Sequence, residues 1–235
     1  MVDASHAILQ QVKSPHGGYV CFSNVHTVVT ARKDSYLRDI TNNSFMSLPD
    51  GKPLSIVGRL QGFKEVERVA GPDFMFYFLE RTQHLRHFFY GTSPATLAKL
   101  IDNIKTHLPE LTIVGSYSPP FRTLTTEEVG KINTMISSAK PQIVWVGLGA
   151  PKQEYWMAEH WRELSPAILL GVGAAFDFHG SAVSRAPIWV RRIGMEWFHR
   201  LLQDPKRLWK RYLATNSLFL LYILFDVLRA KKNPR

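Results

Sequence analysis

The sequence predicts an α/β fold built on a mostly parallel sheet with helices on both faces, followed by a helical C-terminal appendage. Three observations predict it. From residue 15 to about 175, short β-branched or apolar runs alternate with longer helical stretches, the pattern of βα units. Each short run is nearly all apolar, as strands covered on both faces should be. After Gly180 the composition turns to Arg, Trp and Pro, and strand signals stop.

In chain order, Gly18 to Phe22 reads as the first strand, with a helix from Val25 to Arg32 behind it. Phe45 to Leu48 is the second, closed by the turn Pro49-Asp50-Gly51, whose Asp and Gly suit a reversal of the backbone. Arg86 to Tyr90 is the third. Ser93-Pro94 then opens an amphipathic helix to His107, with the serine hydroxyl as N-cap and proline in the first turn. Leu111 to Gly115, Ile143 to Val146 and Ala167 to Leu170 complete the strands. Asp204-Pro205 has the form of an N-cap and first turn, launching a helix to about Ala230. The expected division is a catalytic domain over residues 1–184 and an appendage over 185–235.

A chain of 235 residues, 45% hydrophobic and 12% aromatic, buries a sizeable core without metals or disulfides, and intrinsic disorder is excluded as its main state. The single cysteine, Cys21, forms no intrachain disulfide. The first twenty residues lack a basic start followed by an apolar core, so a reducing cytoplasm is the expectation. Of the net charge of +10, residues 185–235 supply +9, with 12 Lys/Arg against Glu196, Asp204 and Asp226. The body is nearly neutral.

In open parallel sheets, ligands bind beyond the carboxyl ends of the strands, where helix N-termini offer free amides to phosphates. Past the expected strands stand Ser23-Asn24-Val25-His26-Thr27, Asp50-Gly51, Gly91-Thr92-Ser93, Gly147-Leu148-Gly149-Ala150-Pro151-Lys152-Gln153-Glu154 and Gly171-Val172-Gly173-Ala174. Neither glycine pair completes a dinucleotide fingerprint, and no P-loop is present. His84 and His87 share an edge by spacing but read as surface histidines, and no metal or other cofactor is expected. Asp50 has two readings, a turn residue held by local hydrogen bonds or a general base at a strand end. Asp177 and Glu196 are rival carboxylates. Asp177, following Phe176, reads as a cap or brace for the tail.

The ordered string Asn24, Pro49-Asp50-Gly51, Arg68-Val69-x-Gly71-x-Asp73, Gly147-x-Gly149-x-Pro151-x-Gln153-Glu154, Gly171-Val172-Gly173-Ala174-x-Phe176-Asp177, Arg185-Ala186-Pro187, Gly194-x-Glu196-Trp197 and Arg200-Leu201-x-x-Asp204-Pro205-x-Arg207 resembles the WecG/TagA/CpsF family of bacterial glycosyltransferases. The likeness runs from about residue 5 to residue 212. It implies a Rossmann-like, inverting, metal-independent enzyme. Such an enzyme moves an N-acetylmannosamine-type sugar, or a related hexose or uronic acid, from a UDP-sugar to a polyprenyl-diphosphate-linked saccharide in surface polysaccharide synthesis. It works as a peripheral protein at the cytoplasmic face of the inner membrane. The sequence has no Asp-x-Asp, so cationic side chains and helix N-termini are left to hold the diphosphate.

By position, the resemblance makes Asp50 the general base. It makes Asn24 and Gln153 substrate-binding residues; among the strand-end residues, Thr27, Gly91, Gly149, Glu154 and Gly173 are expected to bind substrate beside them. The resemblance also makes Arg68, Arg200, Arg207 and Arg211 candidates for neutralising the leaving UDP or the lipid diphosphate. Arginine suits that task because its planar fork holds two phosphate oxygens at once. The chain departs from many relatives at Phe22, where they carry Thr, so a hydroxyl contact to the donor is either absent or supplied by Ser23 or Thr27. The alternative is a non-catalytic, membrane-associated protein that binds a nucleotide sugar without consuming it.

The uncharged run Leu213 to Phe225 rises ~20 Å as a helix, too short for a hydrocarbon core of ~30 Å. Basic residues flank it and Trp189, Trp197, Trp209, Tyr212 and Tyr222 are interleaved, which suits reversible attachment to an anionic membrane surface. Packing into the core and self-association into a homo-oligomer are the other readings of the run. A nucleic-acid tail accounts for the charge but not for the apolar residues, and no nucleic-acid partner is expected.

Overall fold

The computed structural model describes residues 1–232. In chain order the elements are α1 (Val2–Val12), β1 (Gly18–Ser23), α2 (Val25–Lys33), α3 (Ser35–Asn42), β2 (Met46–Pro49), α4 (Lys52–Leu60), α5 (Gly71–Arg81), β3 (His87–Gly91), α6 (Pro94–His107), β4 (Ile113–Tyr117), α7 (Thr126–Ser138), β5 (Ile143–Gly147), α8 (Lys152–His160), β6 (Ile168–Gly171), α9 (Ala175–His179), α10 (Ile188–Ile193), α11 (Glu196–Gln203) and α12 (Pro205–Lys232). The strands form one sheet in the order β2-β1-β6-β5-β3-β4. Neighbours from β1 to β4 pair in parallel. The edge strand runs the same way: Phe45 N–H donates to the Tyr19 carbonyl (2.9 Å) and Asp50 N–H to that of Ser23 (2.8 Å). The expected α/β class is therefore the observed one.

The chain divides into two compact units. One comprises Met1–Phe22, Asp39–Leu48 and Val69–Ser184, the other Ser23–Arg38, Pro49–Arg68 and the residues from Arg185 on. Thus two short segments from the N-terminal third join the C-terminal helices in the second unit.

The first unit owes its two-sided core to strand alternation. Val20, Phe89, Trp145 and Leu170 face one way and pack with Phe74 and Phe78 of α5 and Leu100 and Ile104 of α6. Cys21, Tyr90, Val146 and Leu169 face the other and pack with Ile132 and Ile136 of α7 and Met157 of α8. Topology explains the assignment. Steps from β2 to β3 and from β3 to β4 run one way along the sheet, and those to β5 and β6 run back, so right-handed crossovers deliver their helices to opposite faces. Trp145 is completely buried, stacked on Phe89 at 6.5 Å, and truncating such a residue costs about 3–5 kcal/mol. Ser93 caps α6 as expected, accepting from Thr96 N–H at 3.2 Å.

Two expectations shift. β4 starts at Ile113 rather than Leu111, because the N–H groups of Leu111 and Thr112 are taken by the carbonyls of Leu108 and Gln83 before the ladder begins. His87 is not a surface residue but is fully buried at the head of β3. The Trp145 indole donates to its Nδ1 (3.1 Å), and its Nε2 bonds the Thr82 carbonyl (2.8 Å). Burial pushes the imidazole down to about 4, so the ring is a neutral core group with both nitrogens engaged.

In the second unit, α12 packs along α2. Arg32 pairs with Asp226 and lies over the Tyr222 ring, 4.7 Å from its centroid. Leu208, Thr215 and Phe219 are buried at helical spacing, whereas Leu220, Leu221, Leu224 and Phe225 are exposed. The apolar run is thus only partly used for packing within the described chain. α11 packs on both α10 and α12, with Trp197 set edge-on to Tyr212 at 5.7 Å. No helix among the described residues is long and apolar enough to cross a membrane.

Candidate active site

In the first unit, β3, β5 and β6 lie side by side, and each ends in a glycine. Gly91 and Gly147 are register partners, and Gly91 has φ +136° with its backbone against that of Gly147. A Cβ built on Gly91 would stand 2.6 Å from the Gly147 carbonyl, so only glycine closes this strand end. Thr92 follows with φ +51°. Its N–H donates to the Gly147 carbonyl (3.0 Å) and its hydroxyl to Asp177 Oδ1 (3.1 Å). Asp177 therefore braces the loop after β3, where the sequence reading had it bracing the tail.

Beyond β5 the chain passes Gly149, at φ +79° with open space where a side chain would be, and enters α8. The Gln153 N–H closes the turn on the Gly149 carbonyl (3.0 Å). The buried amide of Gln153 donates to the Gly171 carbonyl at 2.7 Å and to Glu154 Oε1 at 3.0 Å. With both its N–H bonds directed there, its Oε1 is left facing Gly173, 3.1 Å from the Cβ position of that residue. Glu154 is fully buried, and desolvation raises its carboxyl to about 7. The Cys21 thiol is pushed up to about 12, first by burial and then by the nearby Glu154 charge. Gly149, Gln153, Glu154 and Gly173 thus form one cluster. Gly91 stands apart from it, on the next strand.

In the second unit, Asn24 caps α2. Its Oδ1 accepts from Thr27 N–H (3.2 Å) and from the Thr27 hydroxyl (3.4 Å), and Thr27 is buried. The Asp50 N–H reaches the carbonyl of Ser23, so the Asn24 and Asp50 turns are backbone neighbours. Arg68 holds the second turn. Its Nε donates to the Asp50 carbonyl (3.3 Å), Nη1 to the Arg191 carbonyl (3.4 Å) and Nη2 to Glu196 Oε2 (2.7 Å). Arg185 donates to the other oxygen of Glu196 at 3.2 Å. One half-buried carboxylate is therefore shared by two arginines. Arg200 lies one helical turn beyond Glu196 on α11. Arg207 and Arg211 lie on α12, with side chains outside the described residues. Among the described residues, no three His, Cys, Asp or Glu side chains gather as a metal-ligand set.

The family described as "Glycosyl transferase WecG/TagA/CpsF family" matches residues 1–233. The chain belongs to this family. It is 31% identical over 225 residues to the N-acetylglucosaminyldiphosphoundecaprenol N-acetyl-beta-D-mannosaminyltransferase of Bacillus subtilis (strain 168), covering 93% of this chain and 82% of that protein. It is 28% identical over 212 residues to the enzyme of the same name from Bacillus spizizenii (strain ATCC 23059 / NRRL B-14472 / W23), covering 89% and 80%. This WecG/TagA/CpsF chain is thus a glycosyltransferase, and its match spans residues of both units.

Sequence reasoning missed the bond between Thr92 and Asp177 in this family member, and the sharing of Glu196 by two arginines. No local signal in the sequence marked the first. For the second the signal was the recurrence of Arg68, Arg185 and Glu196 inside the quoted motifs, where spacing alone names no partner.

Proposed function

We propose that the enzyme transfers N-acetylmannosamine from a UDP-linked donor to an N-acetylglucosaminyl-diphosphate-polyprenol, with inversion at the anomeric carbon. The single observation that carries this reading is the match along nearly the whole chain to two enzymes named for that transfer. In the reaction, the acceptor hydroxyl oxygen attacks C1 of the donor sugar. The C1–O bond to the diphosphate breaks, UDP leaves with the electron pair, and the Asp50 carboxylate takes the hydroxyl proton.

Support for Asp50 is its position in the turn after β2, tied by its backbone to the Asn24 turn and to Arg68. Gln153 and the backbone at Gly149 and Gly173 are assigned to the donor. Arg200, Arg207 and Arg211 are assigned to the diphosphate charge by their positions in the family motif and on the basic C-terminal helices. The polyprenyl acceptor brings the enzyme to a membrane, and residues 185–235 carry the basic and aromatic groups that suit an anionic leaflet at its cytoplasmic face.

A panel of UDP-sugars, including N-acetylmannosamine, its uronic acid, glucose and glucuronic acid, tests the reading. Each is incubated with a polyprenyl-diphosphate N-acetylglucosamine acceptor and scored by product mass. The expected result is a disaccharide from N-acetylmannosamine alone. Preferential transfer of another sugar overturns the donor assignment.

A further inference from the structure

The division into units sharpens the charge asymmetry of the sequence. The second unit holds 19 Lys/Arg against 7 Asp/Glu and the first 10 against 12, so the formal charges are +12 and −2. The second unit also holds 16 of the 20 large apolar residues that the described chain exposes. Most lie on α10, α11 and α12, the segment already assigned to the membrane.

Three do not. Ile56 and Leu60 stand one turn apart on α4, and Phe63 follows in the next turn, 47%, 73% and 64% exposed. A nine-residue helix that turns two such residues outward is using only its other side for packing, where Ser55 is buried. Exposed Arg59 and Lys64 sit among the three apolar residues. This is the composition of a short interfacial helix: apolar side chains that enter the headgroup region, with cations beside them for anionic lipid.

α4 is also joined to the other exposed apolar residues of its unit. A Cβ on Gly194, just past α10, would lie 3.1 Å from the Lys52 side chain at the start of α4. Arg68 ties the turn before α4 to the last turn of α10 and to α11. Ile188, Trp189 and Ile193 of α10 are exposed.

We propose that α4 and its following turn, through Ile56, Leu60 and Phe63, are a second bilayer contact, which holds the Asp50 turn at the level of the lipid headgroups. The proposal rests on the reading of residues 185–235 as a membrane element and names an additional part of that interface. Asp50 lies two residues before α4, so a helix seated in the interface keeps that turn within about 10 Å of it, at 1.5 Å per residue from Ile56. A lipid-linked diphosphate presents its sugar at that level.

The test uses the full chain with an environment-sensitive fluorophore on Phe63→Cys or, separately, on Leu220→Cys in α12, each in a Cys21→Ser background. Vesicles of phosphatidylglycerol and phosphatidylethanolamine are added, with brominated acyl chains as quencher. The expected result is a blue shift and quenching at both positions. The triple variant Ile56→Ser/Leu60→Ser/Phe63→Ser should bind the vesicles roughly tenfold or more weakly while keeping its turnover on a short-chain, water-soluble acceptor. Quenching at 220 without quenching at 63 overturns the α4 contact and leaves the tail reading intact. Absence of vesicle binding by the whole chain overturns both. A shift at 63 that depends on protein concentration without lipid assigns the surface to a second copy of the chain and overturns the proposal.

Discussion

Arg68 and Glu196 meet at 2.7 Å, and the same guanidinium reaches back to the carbonyl of Asp50. The pair joins residues 128 positions apart, with side chains 23% and 19% exposed. An ion pair of that burial lies between the surface case, worth at most about 1 kcal/mol, and the fully buried one. Arg68→Ala and Glu196→Ala are each expected to lower the stability of the chain by about 1–2 kcal/mol in urea titrations. The double variant should lose less than the sum of the two, a coupling of about 1 kcal/mol. Additive losses would mean that the contact contributes nothing.

Asp50→Asn keeps the shape and the backbone hydrogen bonds of the turn and removes the proton acceptor. Its rate of transfer should fall roughly 10²-fold or more, with little change in the unfolding midpoint. Wild-type turnover in that variant would take Asp50 out of the mechanism.

The buried Glu154 carboxyl keeps its proton up to about pH 7, whereas in the unfolded chain it releases the proton near 4.5. The folded state therefore binds the extra proton between these values, and stability from this group falls as pH rises through that window. Above pH 7 the full cost of holding a buried charge remains, at most about 3 kcal/mol. Glu154→Gln is neutral at every pH and still offers an oxygen to the Gln153 amide. Its denaturation midpoint should exceed that of the parent at pH 8 and approach it at pH 4.5. Parallel curves for the two proteins from pH 4.5 to 8 would show Glu154 to be solvated.

Gly91→Ala and Gly149→Ala separate two uses of glycine. The first forces a Cβ onto the Gly147 carbonyl and strains φ +136°, so a loss of about 3 kcal/mol or more is expected. The second meets open space and bears only the left-handed backbone, about 1 kcal/mol. Thermal unfolding of both variants reads the difference. Equal losses would refute the backbone contact between β3 and β5.

Much of the first unit was legible because its signals are local. All-apolar runs mark β1, β3, β5 and β6 to within one residue, and Ser93-Pro94 marks the start of α6. What escaped was set by partners distant in sequence. The burial of His87 depends on Trp145, which reaches it only through the pairing of β3 with β5. Residues 23–38 and 49–68 look like ordinary βα connections until α12 packs on α2 and Glu196 meets Arg68. The strand-end positions of the candidate site could be read from glycine and carboxylate placement. The partners of those residues could not, because a motif spaces residues along a chain and says nothing of which charges meet.

The contact between Arg68 and Glu196 also sets an order of events during synthesis. A nascent chain carries the Asp50 turn early, yet the carboxylate that secures its clamp is translated 128 residues after Arg68. While the ribosome is still completing the message, Arg68 lacks this partner for holding the turn. A chain ended ahead of Glu196 would lack the carboxylate that fixes Arg68 against the Asp50 turn.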